Sequence, residues 1–251
     1  DILFAFLWLR NVSKLSSPKF DAYGALFSTI GFGFLLYGFS SAGDKGWSSA
    51  VVLLTLIIGI LFITFFVLRE TAMKHPLLEF RVFKYDIFTI STLVSATINM
   101  ALFGGMLLLP IYLQNIRGFS PLQSGLLLLP GALLMGVMSP ISGALFDRIG
   151  SRPLALVGLL ITPFSTLPFS KLTGETPYGH IMMLYTLRSF GMSMLMMSVQ
   201  TEGLNQLPPH LTSHGTAMSN TIRQVAGSIG TALLITVMAT RSGIHLADYS
   251  N

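Results

Sequence analysis

Cysteine is absent from the 251 residues, and charged residues are scarce. Without a thiol, these residues form no disulfide, thiolate zinc site, iron–sulfur cluster or thiol nucleophile. Charged side chains make up 10% of the sequence, compared with about a quarter in an ordinary soluble domain. Hydrophobic residues make up 52%, and the mean hydropathy is +0.70. A water-soluble fold cannot hide this much apolar surface, so we expect a protein that lies in a lipid bilayer.

Signals for other kinds of chemistry are also missing. The sequence contains no G-x-x-x-x-G-K-[ST] phosphate loop, and the run Gly31–Gly38 lacks the glycine spacing of a dinucleotide site. All five histidines lie at the ends of apolar runs, which disfavours a metal site or a Ser/His/Asp grouping. We therefore expect no cofactor, no metal and no enzymatic activity. The net charge of +5 is spread over short gaps between apolar runs, so nucleic acid is not an expected partner.

Seven apolar runs of 19 to 27 residues are long enough to cross a membrane, which takes about 20 residues in a helix. They cover about residues 22–40, 49–68, 88–114, 122–145, 153–171, 179–202 and 214–239. A transmembrane barrel would show alternation in segments of about ten residues, whereas Val51–Leu68 is apolar on every face. The expected fold class is therefore an all-α, polytopic membrane protein.

The first residues and the gaps between the runs indicate how the chain is oriented in the membrane. Residues 2–9 are apolar but too short to span, so we expect residues 1–9 to be the tail of a transmembrane helix that starts outside this sequence. If segment 10–21 is cytoplasmic, nine basic residues lie in cytoplasmic gaps and four in the opposite gaps. This asymmetry places the loop at residues 146–153 in the cytoplasm, because positive charge is retained on that side.

That loop carries the most specific pattern, GALFDRIGSRPL. Gly143 permits close helix approach, and Asp147 can cap the following helix or pair with Arg148 or Arg152. Gly150 supplies a turn with positive φ. An ordinary charged turn would explain any one of these residues, but their joint spacing is much more specific.

The spacing resembles the cytoplasmic signature loop of the major facilitator superfamily, G-x-x-x-D-R-x-G-x-R. The stretches Gly118–Gly143 and Ser213–Leu234 resemble helices of its fourteen-helix drug:proton antiporter branch, the EmrB/QacA type, which includes lincomycin-resistance exporters. The resemblance covers essentially the whole chain and implies a partial helix bundle with about helices 7–13. Residues 10–87 would then be a central helix pair with a cytoplasmic linker, and residues 88–251 a C-terminal half lacking its last helix.

The resemblance implies a function as well as a fold. It implies proton-coupled efflux of multiple drugs or antibiotics by alternating access, in the plasma membrane of a bacterium. The implied partners are small amphipathic drug-like substrates, protons, the lipid bilayer and an N-terminal half of the same chain. Gly143, Asp147, Arg148, Gly150 and Arg152 would form a conformational latch between cytoplasmic helix ends. The alternatives are a uniporter or nutrient symporter of the same superfamily, or a seven-span receptor or scaffold.

Polar side chains inside the apolar runs are the candidates for a substrate cavity. Such groups need partners in a low-dielectric setting, either across helices or on a substrate. The candidates are Asn99, Arg188, Gln200, Asn220, Arg223 and Gln224. The alternative for both arginines is that they extend to the membrane surface. No carboxylate lies at the centre of a run, so we expect the proton-coupling residue outside this sequence; Glu202 is a possible latch at a cytoplasmic helix end.

Small residues and methionines indicate further packing features. Gly227 and Gly230, with Ala226 and Thr231, have the small-xxx-small spacing that favours tight helix packing over ligand contact. Six of the thirteen methionines fall in the run at 179–202. They could form an adaptable wall for hydrophobic ligands, or simply pack against lipid and protein.

Overall fold

A computed structural model of the chain describes residues 21–73, 76 and 78–249, and these residues are helical apart from short connections. The helices are α1 (Ala22–Lys45), α2 (Ala50–Ala72), α3 (Asp86–Ile111), α4 (Pro121–Ile149), α5 (Ser151–Thr166), α6 (Tyr178–Asn205) and α7 (Thr212–Tyr249). Short 3₁₀ helices form at Phe80–Lys84 and Leu167–Lys171, and a turn of π-helix at Tyr112–Ile116 follows α3. The expected all-α class is confirmed. The helix tail expected at residues 1–9 lies outside the described residues.

Six helical segments among the described residues are long and apolar enough to cross a membrane, one of them α5 together with the 3₁₀ helix that follows it, whereas the sequence predicts seven such spans. The exception is α6, which has 28 residues and is therefore about 42 Å long, longer than a hydrocarbon core of about 30 Å. Ten of its residues are buried, including Ser189, Ser193 and Ser198. Because its neighbours cover these residues, α6 tolerates small and polar side chains that a lipid-facing helix would not. The predicted helix at 179–202 is therefore present as α6, but it is less apolar than the other six.

Helix α6 lies at the centre of the packing, with α3, α4 and α5 against it. Helix α3 also packs against α7, α7 against α1, and α1 against α2. The α1–α2 pair therefore joins the bundle through α7. Ala42, Val52 and Ala232 form a buried cluster at this junction, and Trp47 Nε1 donates a hydrogen bond of 2.7 Å to Thr236 Oγ1.

Glycine allows several helix pairs to approach closely. A Cβ on Gly230 would lie 2.7 Å from the Met100 Cα of α3, and one on Gly227 would lie 3.0 Å from the Phe103 ring. The tight helix packing predicted for Gly227 and Gly230 is confirmed. Helices α5 and α6 meet in the same way at Gly158, where α5 contacts the backbone of α6.

A charged cluster ties the ends of α1 and α2 to the linker before α3. Asp21 directly precedes α1, and Arg69 donates to both of its carboxylate oxygens, with Nη2···Oδ1 at 2.9 Å and Nε···Oδ2 at 3.0 Å. The neighbouring Glu70 is 2% exposed, and its Oε2 accepts the backbone N–H of Leu78 at 3.0 Å. Gly24 leaves room for both carboxylates, because a Cβ there would lie within 2.7 Å of each. Sequence analysis predicted neither the Asp21–Arg69 ion pair nor the hydrogen bond between Glu70 and Leu78.

The ion pair of this cluster predicts a pH-dependent loss of stability. The Arg69 hydrogen bond holds the pKa of Asp21 below its ordinary value. The stabilisation is therefore fully present above the unfolded-state pKa of about 3.9, and it is lost as the pH falls through the lower folded-state value. We expect Asp21→Asn to lower the thermal unfolding temperature at pH 7, with a smaller difference from wild type at pH 3. Glu175→Gln, at an exposed loop position, is the control; an equal deficit for Asp21→Asn at both pH values would contradict the prediction.

Candidate functional site

Two adjoining cavities lie along the inner helices of the bundle. The first, of about 480 Å³, lies between α3, α4 and α6. The second, of about 560 Å³, is lined by α3, α6 and α7, and Met196 lines both. All six polar residues singled out from the sequence line one of the two: Arg188 and Gln200 the first, and Asn99, Asn220, Arg223 and Gln224 the second. The fold thus brings together residues that are up to 125 positions apart in the sequence.

Arg188 reaches from α6 across the face of α3. Its Nη2 donates to the backbone oxygen of Ala101 at 2.8 Å. Gly105 makes this crossing possible, because a Cβ there would overlap Arg188 Nη1. The Nε is buried and has no hydrogen-bond partner among the described residues. The side chain therefore lies between two helices rather than extending to a helix end, and it lines the first cavity on one side and a third cavity, of about 410 Å³, on the other.

Arg223 is held by neutral amides. Its Nη1 donates to Gln200 Oε1 at 2.7 Å, and its Nη2 donates to Asn220 Oδ1. The first of these bonds joins α7 to α6. Asn99 is buried on α3, and its Nδ2 donates to the Ser95 backbone oxygen of the same helix at 2.9 Å. The lining of the second cavity therefore combines one guanidinium group with several amide groups and, in the described part of the chain, no carboxylate.

Several lining residues were missed by sequence reasoning. Tyr185, Ser189 and Ser193 line the first cavity from α6, and Gly136 and Ser139 line it from α4. A signal was available, because positions 185, 189, 193, 196 and 200 recur at the helical spacing of one face. Of the six methionines expected to form a wall, three line this cavity: Met192, Met196 and Met197.

The loop between α4 and α5 departs from the contacts expected of it. Gly150 has φ of 82°, the positive value expected of this glycine, and its N–H donates to the Phe146 oxygen at 2.8 Å. Asp147, Arg148 and Arg152 are all exposed. The expected pairing or capping by Asp147 was wrong: within the described ranges it neither caps α5 nor forms an ion pair. An exposed pair in water gains too little to hold two side chains in one geometry.

Gly143, the first residue of the expected latch, and Glu202, the separate latch candidate on α6, have different surroundings. Gly143 faces α6, where a Cβ would lie 3.3 Å from Cε at the flexible end of Met197; the predicted close helix approach at this glycine stays a prediction. Glu202 is half-buried near the end of α6 and accepts a hydrogen bond of 3.3 Å from Gln206 Nε2, one turn further along the same helix. That bond stays within one helix. A latch role for either residue remains a prediction.

The sequence of the chain matches the profile of the Major Facilitator Superfamily over residues 19–231. The chain belongs to this superfamily. The resemblance inferred from the loop at Gly143–Arg152 is thereby confirmed, and the superfamily consists of transporters rather than enzymes. Membership of this superfamily, together with six helical segments able to cross a bilayer, identifies the chain as part of a multi-pass membrane protein. It favours a transporter over the receptor or scaffold alternative.

Relatives within the major facilitator superfamily include drug-resistance proteins. The chain is 53% identical over 250 residues to YhcA, an MFS-type transporter of Bacillus subtilis strain 168, covering 100% of this chain and 47% of the relative. It is 42% identical over 238 residues to the lincomycin resistance protein LmrB of Listeria innocua, covering 95% and 50%. It is 29% identical to the tetracenomycin C resistance and export protein of Streptomyces glaucescens, covering 96% and 45%. The chain thus spans about half the length of these relatives.

Proposed function

We propose that this chain is part of a drug exporter that works by alternating access and is driven by proton antiport. The observation that carries the proposal is the polar lining of the adjoining cavities inside a bundle whose outer surface is apolar. Polar side chains at membrane depth usually mark a substrate or ion pathway. The resistance and export proteins among the relatives support drug-like molecules as substrates.

The arrangement of the helices supports a division into transporter parts. We assign residues 10–87 to the central helix pair and linker of a fourteen-helix transporter, and residues 88–251 to its C-terminal half. Helices α3, α4 and α5 would then form one three-helix repeat, and α6 and α7 the start of its inverted partner. In such transporters the substrate site lies near mid-membrane between two halves. An N-terminal half is accordingly the proposed partner for the cavity face, and a bacterial plasma membrane the proposed location.

Proton coupling requires an ionisable group whose protonation changes with access to either side. No aspartate or glutamate lines either adjoining cavity among the described residues. We therefore propose that the main coupling carboxylate belongs to the N-terminal half, and that this chain contributes the substrate wall and the cytoplasmic latch. Small amphipathic drugs and protons are the proposed ligands of the whole transporter.

Reconstitution tests the antiport. The full-length transporter is placed in liposomes with an imposed pH gradient, and the movement of a lipophilic cation and of a neutral antibiotic is measured. We expect at least one compound to move in the direction opposite to the proton flow. This movement should stop when a protonophore collapses the pH gradient. Protein-free liposomes are the control. Movement that does not depend on the pH gradient would indicate a uniporter, and movement in the same direction as the protons would indicate a symporter. Either result would contradict the proposal.

A further inference from the structure

The charged side chains that line the two adjoining cavities are both positive. Arg188 contributes to the first and Arg223 to the second. The other lining side chains are amides, hydroxyl groups, methionines, aromatic rings and small apolar groups, so no acidic residue faces either cavity in the part of the chain that is described. A ligand in either cavity therefore meets one guanidinium group and no negative charge from the described part of the wall.

Neither guanidinium group is neutralised by its own contacts. Arg188 donates to a backbone carbonyl and Arg223 to two side-chain amides, all of which are neutral acceptors. The ion pairs found among the described residues lie elsewhere, at Asp21–Arg69 and Glu79–Arg81. A positive charge therefore remains beside each cavity without a partner of opposite charge among the described residues.

The two arginines differ in how many of their guanidinium nitrogens donate a hydrogen bond within the protein. Arg223 uses both terminal nitrogens on amides. Arg188 leaves its Nε without a partner and is open to a cavity on each side. An arginine fork matches an anionic oxygen pair in geometry and charge, and a buried unused donor gains from such an acceptor. Arg188 is therefore the better placed of the two to contact a ligand directly.

We infer that this cavity wall selects amphipathic molecules with an anionic, oxygen-rich end over cations of the same size and shape, with Arg188 as the contact for the anion. The inference rests on the proposed function, because it takes the cavity to be a substrate site. The apolar part of the ligand would lie against the adaptable side chains of Met135, Met192 and Met196. Arg223 would add positive potential from the adjoining cavity without direct contact.

Equilibrium binding to the purified full-length transporter in nanodiscs tests this selectivity. The probes are a naphthalene sulfonate and a naphthyl trimethylammonium ion, which share one ring system and differ in charge; empty nanodiscs give the background. We expect the wild type to bind the sulfonate at least tenfold more tightly. Arg188→Gln should remove most of this preference, Arg188→Lys should keep part of it through charge alone, and Arg223→Gln should weaken it less than Arg188→Gln.

The control is Arg81→Gln, which removes one positive charge from a side chain that is 76% exposed and lines neither of the two adjoining cavities. It should leave the preference unchanged. Tighter or equal binding of the cation by the wild type would overturn the inference, whether or not the variants fold, and would indicate that a carboxylate of the other half neutralises the arginines. A sulfonate preference that survives in Arg188→Gln would also overturn it. Failure of gradient-driven transport, with the binding preference intact, would overturn the proposed antiport instead.

Discussion

Asp147→Asn is expected to reduce efflux to less than a tenth of the wild-type rate while leaving the amount of transporter in the membrane unchanged. Asp147 is exposed and makes no ion pair in the described ranges, so its replacement removes no contact that holds the fold together. In a latch, however, its charge would hold neighbouring cytoplasmic helix ends in one of the two access states. A charge network that is partly buried in that state contributes a few kcal/mol, which is comparable with the difference between two conformers.

The measurement is the initial rate of efflux, together with the quantity of folded protein recovered from the membrane. Asp86→Asn is the matched control, because it makes the same change at another exposed aspartate, at the start of α3. Efflux at the wild-type rate by Asp147→Asn would refute the latch. Loss of the protein from the membrane would instead assign Asp147 a role in folding.

Gly158→Ala should have the largest effect on stability among single-methyl additions to α5. A Cβ at Gly158 would lie 2.7 Å from the backbone oxygen of Gly191 and 2.8 Å from the backbone nitrogen of Leu195. Because both atoms belong to the α6 backbone, no side-chain rotation can relieve the overlap, and α5 must move away from α6. Overpacking of this kind costs about 1–3 kcal/mol.

Thermal unfolding of the purified protein in one detergent measures this effect. Gly125→Ala adds the same methyl group on α4, where no atom lies within 4 Å of the new Cβ, and should leave the unfolding temperature unchanged or raise it slightly. A Gly158→Ala variant as stable as Gly125→Ala would show that α5 and α6 do not approach as closely as described. Since α6 also lines the first cavity, a displaced α5 should weaken substrate binding if that cavity is the substrate site proposed above.

The positions of the helices follow from the sequence because a bilayer requires long apolar runs and the gaps between them are polar. The exception, α6, shows the limit of that rule. Its serines lower its hydropathy, and whether a serine faces lipid or protein depends on neighbours that the run itself does not reveal. The six polar cavity residues were identified because polar groups at membrane depth need partners. Which partners they find, such as Gln200 for Arg223, depends on the packing of α6 against α7.

Contacts between distant segments could not be predicted. Asp21 and Arg69 are 48 residues apart, and an acid at a helix end is normally solvated, so nothing in the local pattern distinguishes Asp21 from an ordinary loop aspartate. The opposite error occurred in the loop at Gly143–Arg152. There, opposite charges close in sequence suggested a pair, but the turn at Gly150 leaves them exposed to water.

The attachment of α1 to α7 determines which helices move together. Trp47 and the cluster around Ala42 fix the α1–α2 pair to α7, and Glu70 fixes the following linker to the end of α2. If the transporter alternates between two access states, as proposed above, the α1–α2 pair should therefore move together with α7. Lipids in contact with α2 would then be displaced in each transport cycle, although α2 lines neither of the two adjoining cavities.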